Sequence, residues 1–192
     1  MKLRAISLWQ PWASAVALGL KKIETRAYVS RYTGPLAIHA AVKKSPANRE
    51  CYLKLINWPG MPNDLVDGFS GYDGLPFGAI VGIVRMSGCT TITRANAQGL
   101  SGQERLLGDY TPGREAWHLE LLSQLRAPHP VCGRQGFFFV NVPDRLLLTR
   151  FCRVCGCTND RACVDAAGWS CRWVKRDLCS ACGGGALPVI SR

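Results

Sequence analysis

Read for hydrophobic periodicity, the first 150 residues change period several times. "RAISLW" (Arg4–Trp9) alternates apolar and polar positions as a strand does. Pro11 then opens "PWASAVALG" as the first residue of a short helix that Gly19 ends. "KKIETR" (Lys21–Arg26) returns to strand period, and "GPLAIHAA" (Gly34–Ala41) is apolar enough for burial on both faces. A Ser-Pro start predicts a helix over "SPANRECYLKLIN" (Ser45–Asn57). The Gly- and Pro-rich "NWPGMPNDLVDGFSGYDGLPFG" reads as a long excursion, and "AIVGIVRM" (Ala79–Met86) is the best core strand. "AWHLELLSQL" (Ala116–Leu125) suits a helix by propensity and a strand by the register of Trp117, Leu119 and Leu121. "GFFFVNVP" (Gly136–Pro143) is a final strand. Five or six short strands with one to three helices give an α+β class. A small, partly closed β-barrel fits them better than a doubly wound sheet.

Composition bounds the partners. The 192 residues suffice for one well-buried domain plus an appendage. Lys and Arg number 24 against 13 acidic residues, a net charge of +11 that favours anionic partners, nucleic acid before acidic membrane surface. No apolar run approaches the ~18 residues of a membrane span. "MKLRAISLWQPW" lacks the clean apolar core and cleavage site of a signal peptide. The expected compartment is the cytoplasm, where thiols stay reduced and cysteines serve metals rather than disulfides.

Cysteine use divides the chain. Residues 1–150 hold Cys51, Cys89 and Cys132, whereas residues 151–192 hold seven more. A boundary near Thr149–Phe151 gives domains 1–149 and 150–192. The tail reads C-x2-C-x-C-x5-C-x7-C-x7-C-x2-C. Its outer pairs, Cys152/Cys155 and Cys179/Cys182, have the spacing of a zinc ribbon, with Gly156 and Gly183 placed for the knuckle turns. A module this small needs a metal to fold. Cys157, Cys163 and Cys171 remain for a second zinc, with Asp160 or Asp165 as a borrowed ligand, or for a share in an iron–sulfur cluster, whose standard spacings are not matched. Zinc, one ion or two, is the preferred cofactor. Arg153, Arg161, Arg172, Lys175 and Arg176 alternate with Trp169 and Trp173 in a pattern suited to nucleic acid, or to a staple that covers one face of the barrel.

The candidate cleft starts from "GLKKIETR". On a strand, Lys22, Glu24 and Arg26 share one face and Ile23 and Thr25 the other, with Lys21 undetermined. Glu24 would accept from an amino group such as that of cytosine and brace Arg26 through a bidentate pair. The plainer alternative is a solvated strand face with salt bridges of little worth. Trp9 and Trp12 in "WQPW" offer stacking surfaces, each worth ~1–3 kcal/mol per base, though one is expected in the core. Gln10 and the free N–H groups of the following helix are placed for a phosphate or base edge. Arg114 and Trp117 in "GREAW" and Arg134 in "GRQG" complete the set, since Arg beside an aromatic both stacks and pairs. His39 reads as a core histidine. No Ser-His-Asp set, phosphate-binding Gly-rich loop or paired acidic site is visible.

These stretches resemble a known family. "ISLWQPWASAVALGLKKIETR" followed by "GPLAIHAA" is similar to the ASCH domain, a PUA-like β-barrel. "GAIVGIV", "GDYTPGREAWHLE" (Gly108–Glu120) and "PVCGRQGFFFV" (Pro130–Val140) extend the resemblance, in order, over most of residues 3–143. It implies a barrel whose cleft binds RNA, single-stranded DNA or a modified nucleoside. Some small members of the superfamily are amidohydrolases that deacetylate acetylated cytidine with a Lys, a Thr three residues later and a distant Glu. Lys21 matches the Lys, but Glu24 stands at the Thr position, with Thr25 one place on, and "AIVGIVRM" has no carboxylate. The leading reading is therefore a binder of RNA, single-stranded nucleic acid or a modified nucleoside that uses a basic cleft. An amidohydrolase using Lys21 and Glu24 is the alternative, and an adaptor whose tail docks a protein is the third.

Overall fold

In the computed structural model, which describes residues 1–59, 71–165 and 167–184, the alternating stretches assemble into one mixed sheet. Its strands are β1 (Lys2–Leu8), β2 (Ile23–Arg26), β3 (Gly34–Ala40), β4 (Ala79–Thr91), β5 (Glu115–Pro130) and β6 (Phe138–Asn141), in the order β2-β5-β4-β3-β1-β6. Only β1 and β3 run parallel; every other neighbouring pair is antiparallel. A doubly wound sheet is thereby excluded and the α+β class holds. The ambiguous segment is a strand. Its register against β4 slips at three places, each an irregularity of the kind that bends and twists a long pair.

Both faces of the sheet are covered. Ile6, Leu8, Leu36, Ile38, Val84 and Met86 meet Trp117 and Leu119 on one side. Leu3, Ala5, Ala37, Ile80, Ile83 and Leu122 meet Phe138, Val140 and Phe151 on the other. This explains why β3 is buried at every position and shows no alternation. The first face receives α1 (Trp12–Ala17), which settles over Gly82. A Cβ there would lie 2.8 Å from that of Ala17, so only glycine lets helix and sheet approach this closely.

The second helix, α2 (Pro46–Ile56), is capped by the Ser45 side chain, which accepts from the Asn48 amide. Two further helices, α3 (Arg94–Gln98) and α4 (Gly102–Leu106), were not expected, because five residues are too few to display a helical period. Of the long excursion, residues 60–70 lie outside those described; its end forms a single 3-10 turn at Tyr72–Gly74. Among the described residues no helix is long and apolar enough to cross a membrane.

The tail forms β7 (Trp173–Lys175), β8 (Leu178–Cys179) and α5 (Ser180–Gly183) around its cysteines. Between Phe151, fully buried in the sheet's second core, and Cys152, fully buried among the cysteines, the chain passes from one core to the other. Arg150 ties the seam by donating to the carbonyls of Arg176 (2.7 Å) and Lys175 (2.9 Å). Arg161 reaches back to the Leu121 carbonyl at 3.2 Å and to Glu120 at 3.5 Å. The module is seated on the face of the sheet opposite α1.

Candidate functional site

The site begins where α1 stops. Gly19 takes φ +74°, its amide donates to Val16 O at 3.0 Å, and the Leu20 amide donates to Ala15 O at 2.9 Å. These are the two bonds of a Schellman turn, which glycine alone closes without strain. The turn directs Lys21 beneath the helix, where its side chain is 1% exposed. Burial pulls the ammonium below the ordinary lysine value, opposed by the Glu24 and Glu104 carboxylates. The Lys21 Nζ donates to the Ile23 carbonyl and lies 3.8 Å from Glu24 Oε2.

Because β2 begins only at Ile23, strand alternation does not extend to Lys22, which is exposed. The cations beside Glu24 are therefore Lys21 and Arg26, not Lys22 and Arg26. Arg26 Nε stands 3.2 Å from Glu24 Oε1, but this nitrogen lacks an aligned hydrogen bond, so the pair is a charge contact rather than the expected bidentate brace. Glu24 is thus held between two positive charges while its oxygens keep their accepting capacity for something in the cleft. Beneath Arg26 lies the Trp117 ring, 5.8 Å away, stacked on Phe137 at 5.5 Å and sealed from solvent.

Sequence reasoning missed Glu104 and Tyr110. The Glu104 carboxylate accepts from the Lys22 amide (2.9 Å), the Ile23 amide (3.1 Å) and the Tyr110 hydroxyl (2.6 Å). With all three bonds made, it fixes the start of β2 and the charge that faces Lys21. Burial and the adjoining carboxylate push the Tyr110 phenol well up, so it remains a donor. The available signal was S-x-x-E at Ser101–Glu104, the capping-box pattern. Here Ser101 caps the Glu104 amide at 3.1 Å while the Glu104 side chain serves β2 instead.

The cleft that results has a volume of about 490 Å³, between the end of β1, the start of α1, β2 and the loop Leu106–Asp109. It brings together Trp9, Trp12, Lys21, Glu24 and Arg26 of the expected residues, and adds Ser7, Thr25 and Asp109. Lys21 and Arg26 are matched by Glu24 and Asp109 in its lining, so the cleft is charge-balanced rather than basic and the cationic excess lies elsewhere. Trp9 is 43% exposed at the rim, with the Lys43 ammonium 4.8 Å above its ring. Arg114 is drawn beside the cleft by Asp109 at 3.4 Å and by the Thr25 carbonyl at 3.3 Å. Arg134 is exposed, and its carbonyl accepts from the Ser7 hydroxyl at 3.0 Å, near the same rim.

Two expected residues do not face the cleft. Gln10 is fully buried: its side-chain oxygen accepts from the Ser14 amide (3.1 Å) and its nitrogen donates to Pro76 O (2.8 Å), which locks the "WQPW" turn. Trp117 is likewise core, its indole N–H given to Tyr28 O at 3.3 Å. Both polar side-chain groups are satisfied internally, as burial requires. His39 is a core histidine as read, between Ser7 Oγ (3.0 Å) and Val131 O (3.2 Å).

In the tail all seven cysteines are free thiols brought into one cluster. Two sets of four have their sulfurs mutually within 4.8 Å: Cys152, Cys155, Cys157 and Cys179, and Cys157, Cys163, Cys171 and Cys179. Cys182 is in neither set, but it packs in the same cluster, against Cys179 and Cys155. Gly156 takes φ +75° in the first knuckle, closed by Gly156 N–H to Cys152 O and Cys152 N–H to Cys157 O, both 2.8 Å. That second bond draws Cys157 into the set. Asp160 and Asp165 belong to neither set; Asp165 instead accepts from the amides of Ala167 and Trp169. All-sulfur donor sets of this size suit a soft tetrahedral ion.

Residues 6–129 match the family model of the ASCH domain, and the chain belongs to that family. Among solved structures, ASCH from Zymomonas mobilis is similar at 15% identity over 72% of this chain and 87% of that one, with a TM-score of 0.43. A single-substitution variant of the same Zymomonas mobilis protein is 16% identical over 73% of this chain and 91% of that one, with a TM-score of 0.42. Among curated proteins none matches.

Proposed function

We propose that this ASCH protein binds single-stranded nucleic acid, with one base entering the cleft and the phosphates following the basic rim. The observation that carries this reading is Glu24, a carboxylate between Lys21 (3.8 Å) and Arg26 (3.2 Å) whose oxygens, among the described residues, are not taken by aligned hydrogen bonds. An acceptor flanked by donors matches the polar edge of a base better than a phosphate, which Glu24 would repel. Trp9 at the rim supplies a stacking surface, and Lys43, Arg114 and Arg134 supply charge for the backbone. RNA, DNA and a free modified nucleoside would all present such an edge; the +11 charge favours the polymer.

Counterion release sets the test. The affinity for a single-stranded oligonucleotide should fall steeply as salt rises, by about tenfold or more between ~50 and ~200 mM for several phosphate contacts. Salt-insensitive binding, or no binding of either RNA or DNA, contradicts the proposal.

A second reading, hydrolysis of an acylated nucleoside, is favoured by the depressed Lys21 beside two carboxylates, since such a lysine can act as a base or nucleophile. Glu104, however, is consumed by three hydrogen bonds, and no hydroxyl stands at position 24. We expect no deacetylation of acetylated cytidine by the native chain. Turnover that disappears in Lys21→Met would replace the binding reading with the hydrolytic one.

A further inference from the structure

Part of the cationic excess missing from the cleft lies beside it, on the strand that leads into it. β1 and β6 form one edge of the sheet. By alternation Lys2 and Arg4 share a face with Ile6 and Leu8, the face that receives α1. The register sets Phe139 directly opposite Arg4. We propose that this edge is a second contact surface for single-stranded nucleic acid, a track for the nucleotides next to the one held in the cleft. This rests on reading the cleft as a base site, and it adds the course of the strand and the length of the site.

Cations set among aromatic rings carry the argument. The Arg4 guanidinium lies 5.0 Å from the Tyr32 ring, 5.6 Å from Phe139 and 5.9 Å from Phe137. Lys2 Nζ is 4.9 Å from the Phe139 ring. Among the described residues neither cation is ion-paired, and Asp144, beside the start of β1, is already matched by the Met1 ammonium (3.1 Å) and Arg176 (3.3 Å). Phe139 stays 61% exposed with both cations in place. A nucleotide strand offers a base to that ring and a phosphate to each cation. An apolar partner would bury two charges without compensation, which is costly.

The surface is fixed in advance. Tyr32 is held by its hydroxyl, which donates to the Pro35 carbonyl, and Phe137 by its stacking on Trp117 at 5.5 Å. It is also continuous with the cleft. β1 runs on from Arg4 to Ser7 and Leu8, which line the cleft, and Arg26 donates to the Ser7 carbonyl at 3.5 Å. Arg26 lies over Trp117, and the stacked Phe137 flanks Arg4, so one layer of rings underlies both cations. From Lys2 to Ser7 the strand extends about 17 Å, room for about three nucleotides, so the whole site takes about four.

The test is an anisotropy series on the full chain with labelled oligocytidylates of two and four nucleotides, in ribose and deoxyribose forms. The four-nucleotide ligand should bind the native chain about tenfold or more tightly than the two-nucleotide one. Arg4→Gln and Phe139→Ala should each weaken four-nucleotide binding by about tenfold and leave two-nucleotide binding as it is. Lys2→Gln keeps every ring and should lower the salt slope by about 0.7, so it decides the matter should Phe139→Ala fold poorly. Four-nucleotide binding that is native in Arg4→Gln and Lys2→Gln overturns the track; if Lys21→Met still weakens it, the cleft reading stands. A native chain that binds neither length overturns both readings and leaves this face for an acidic protein.

Discussion

With the cysteine cluster read as a metal site, chelation of the full chain is expected to unfold residues 152–184 and to leave the six-stranded sheet standing. Among the described residues the module's buried core consists of Cys152, Cys155, Cys157 and Cys179 with Leu178 and Ala181, and the partly buried Trp173 packs against it. Without a metal, those four are small polarizable groups facing one another, and nothing else in the module buries enough surface to offset the chain entropy of ordering it. Metal binding supplies on the order of 10–16 kcal/mol in comparable small domains, which is their folding free energy. The sheet keeps its own second core, because Phe151 packs with Leu122, Phe138 and Val140 rather than with the cysteines. Limited trypsin digestion reads the outcome. After chelation, cleavage should appear at Arg153, Arg161, Arg172, Lys175 and Arg176, with residues 1–149 resistant. A tail that stays resistant without metal, or a sheet that is digested at the same rate, contradicts this account.

The fold was largely legible in the sequence, since β1, β3, β4 and β6 each carry alternation or a continuous apolar run that burial on one or both faces demands. The segment Ala116–Leu125 was not settled by its pattern, because a strand with register slips presents apolar residues at mixed spacing. The helices at Arg94–Gln98 and Gly102–Leu106 escaped, being single turns marked only by their Thr93 and Ser101 caps. Within the site, residue type gave the cluster around Glu24 but not the direction of each side chain. Gln10 and Trp117 have the chemistry of base-contacting groups, yet both are turned into the core, a fact set by the "WQPW" turn and by stacking on Phe137. Lys21 was identified without its burial, which follows from the Schellman turn at Gly19. Glu104, eighty residues away along the chain, could be placed against β2 only by tertiary structure. In the tail, spacing identified the cysteines as ligands, but their grouping depends on how the Gly156 turn swings Cys157 inward.

The cleft makes the second large prediction. Lys21→Met removes the buried ammonium and keeps an apolar stem of similar reach, so the packing under α1 is retained. If the ammonium helps to hold a bound base, its loss removes a charged hydrogen bond worth ~1.5–3 kcal/mol, a drop of about 10- to 100-fold in affinity. Stability should change little or fall, because the desolvation cost of the ammonium is relieved while Glu24 keeps only Arg26 as its cation and the Ile23 carbonyl loses its donor. Loss of binding with a little-changed melting temperature separates a recognition residue from a structural one. Glu24→Gln and Arg26→Gln should each weaken binding as well, and together by less than their sum, since each loses much of its role when its 3.2 Å neighbour is gone. The most direct measurement is an anisotropy titration of one labelled single-stranded RNA with the native chain and with Lys21→Met, at equal salt and with melting curves alongside. Native binding that weakens at least tenfold in a fully folded Lys21→Met protein is the predicted result. Equal affinities for the two, or no binding by the native chain, would contradict the assignment of the cleft.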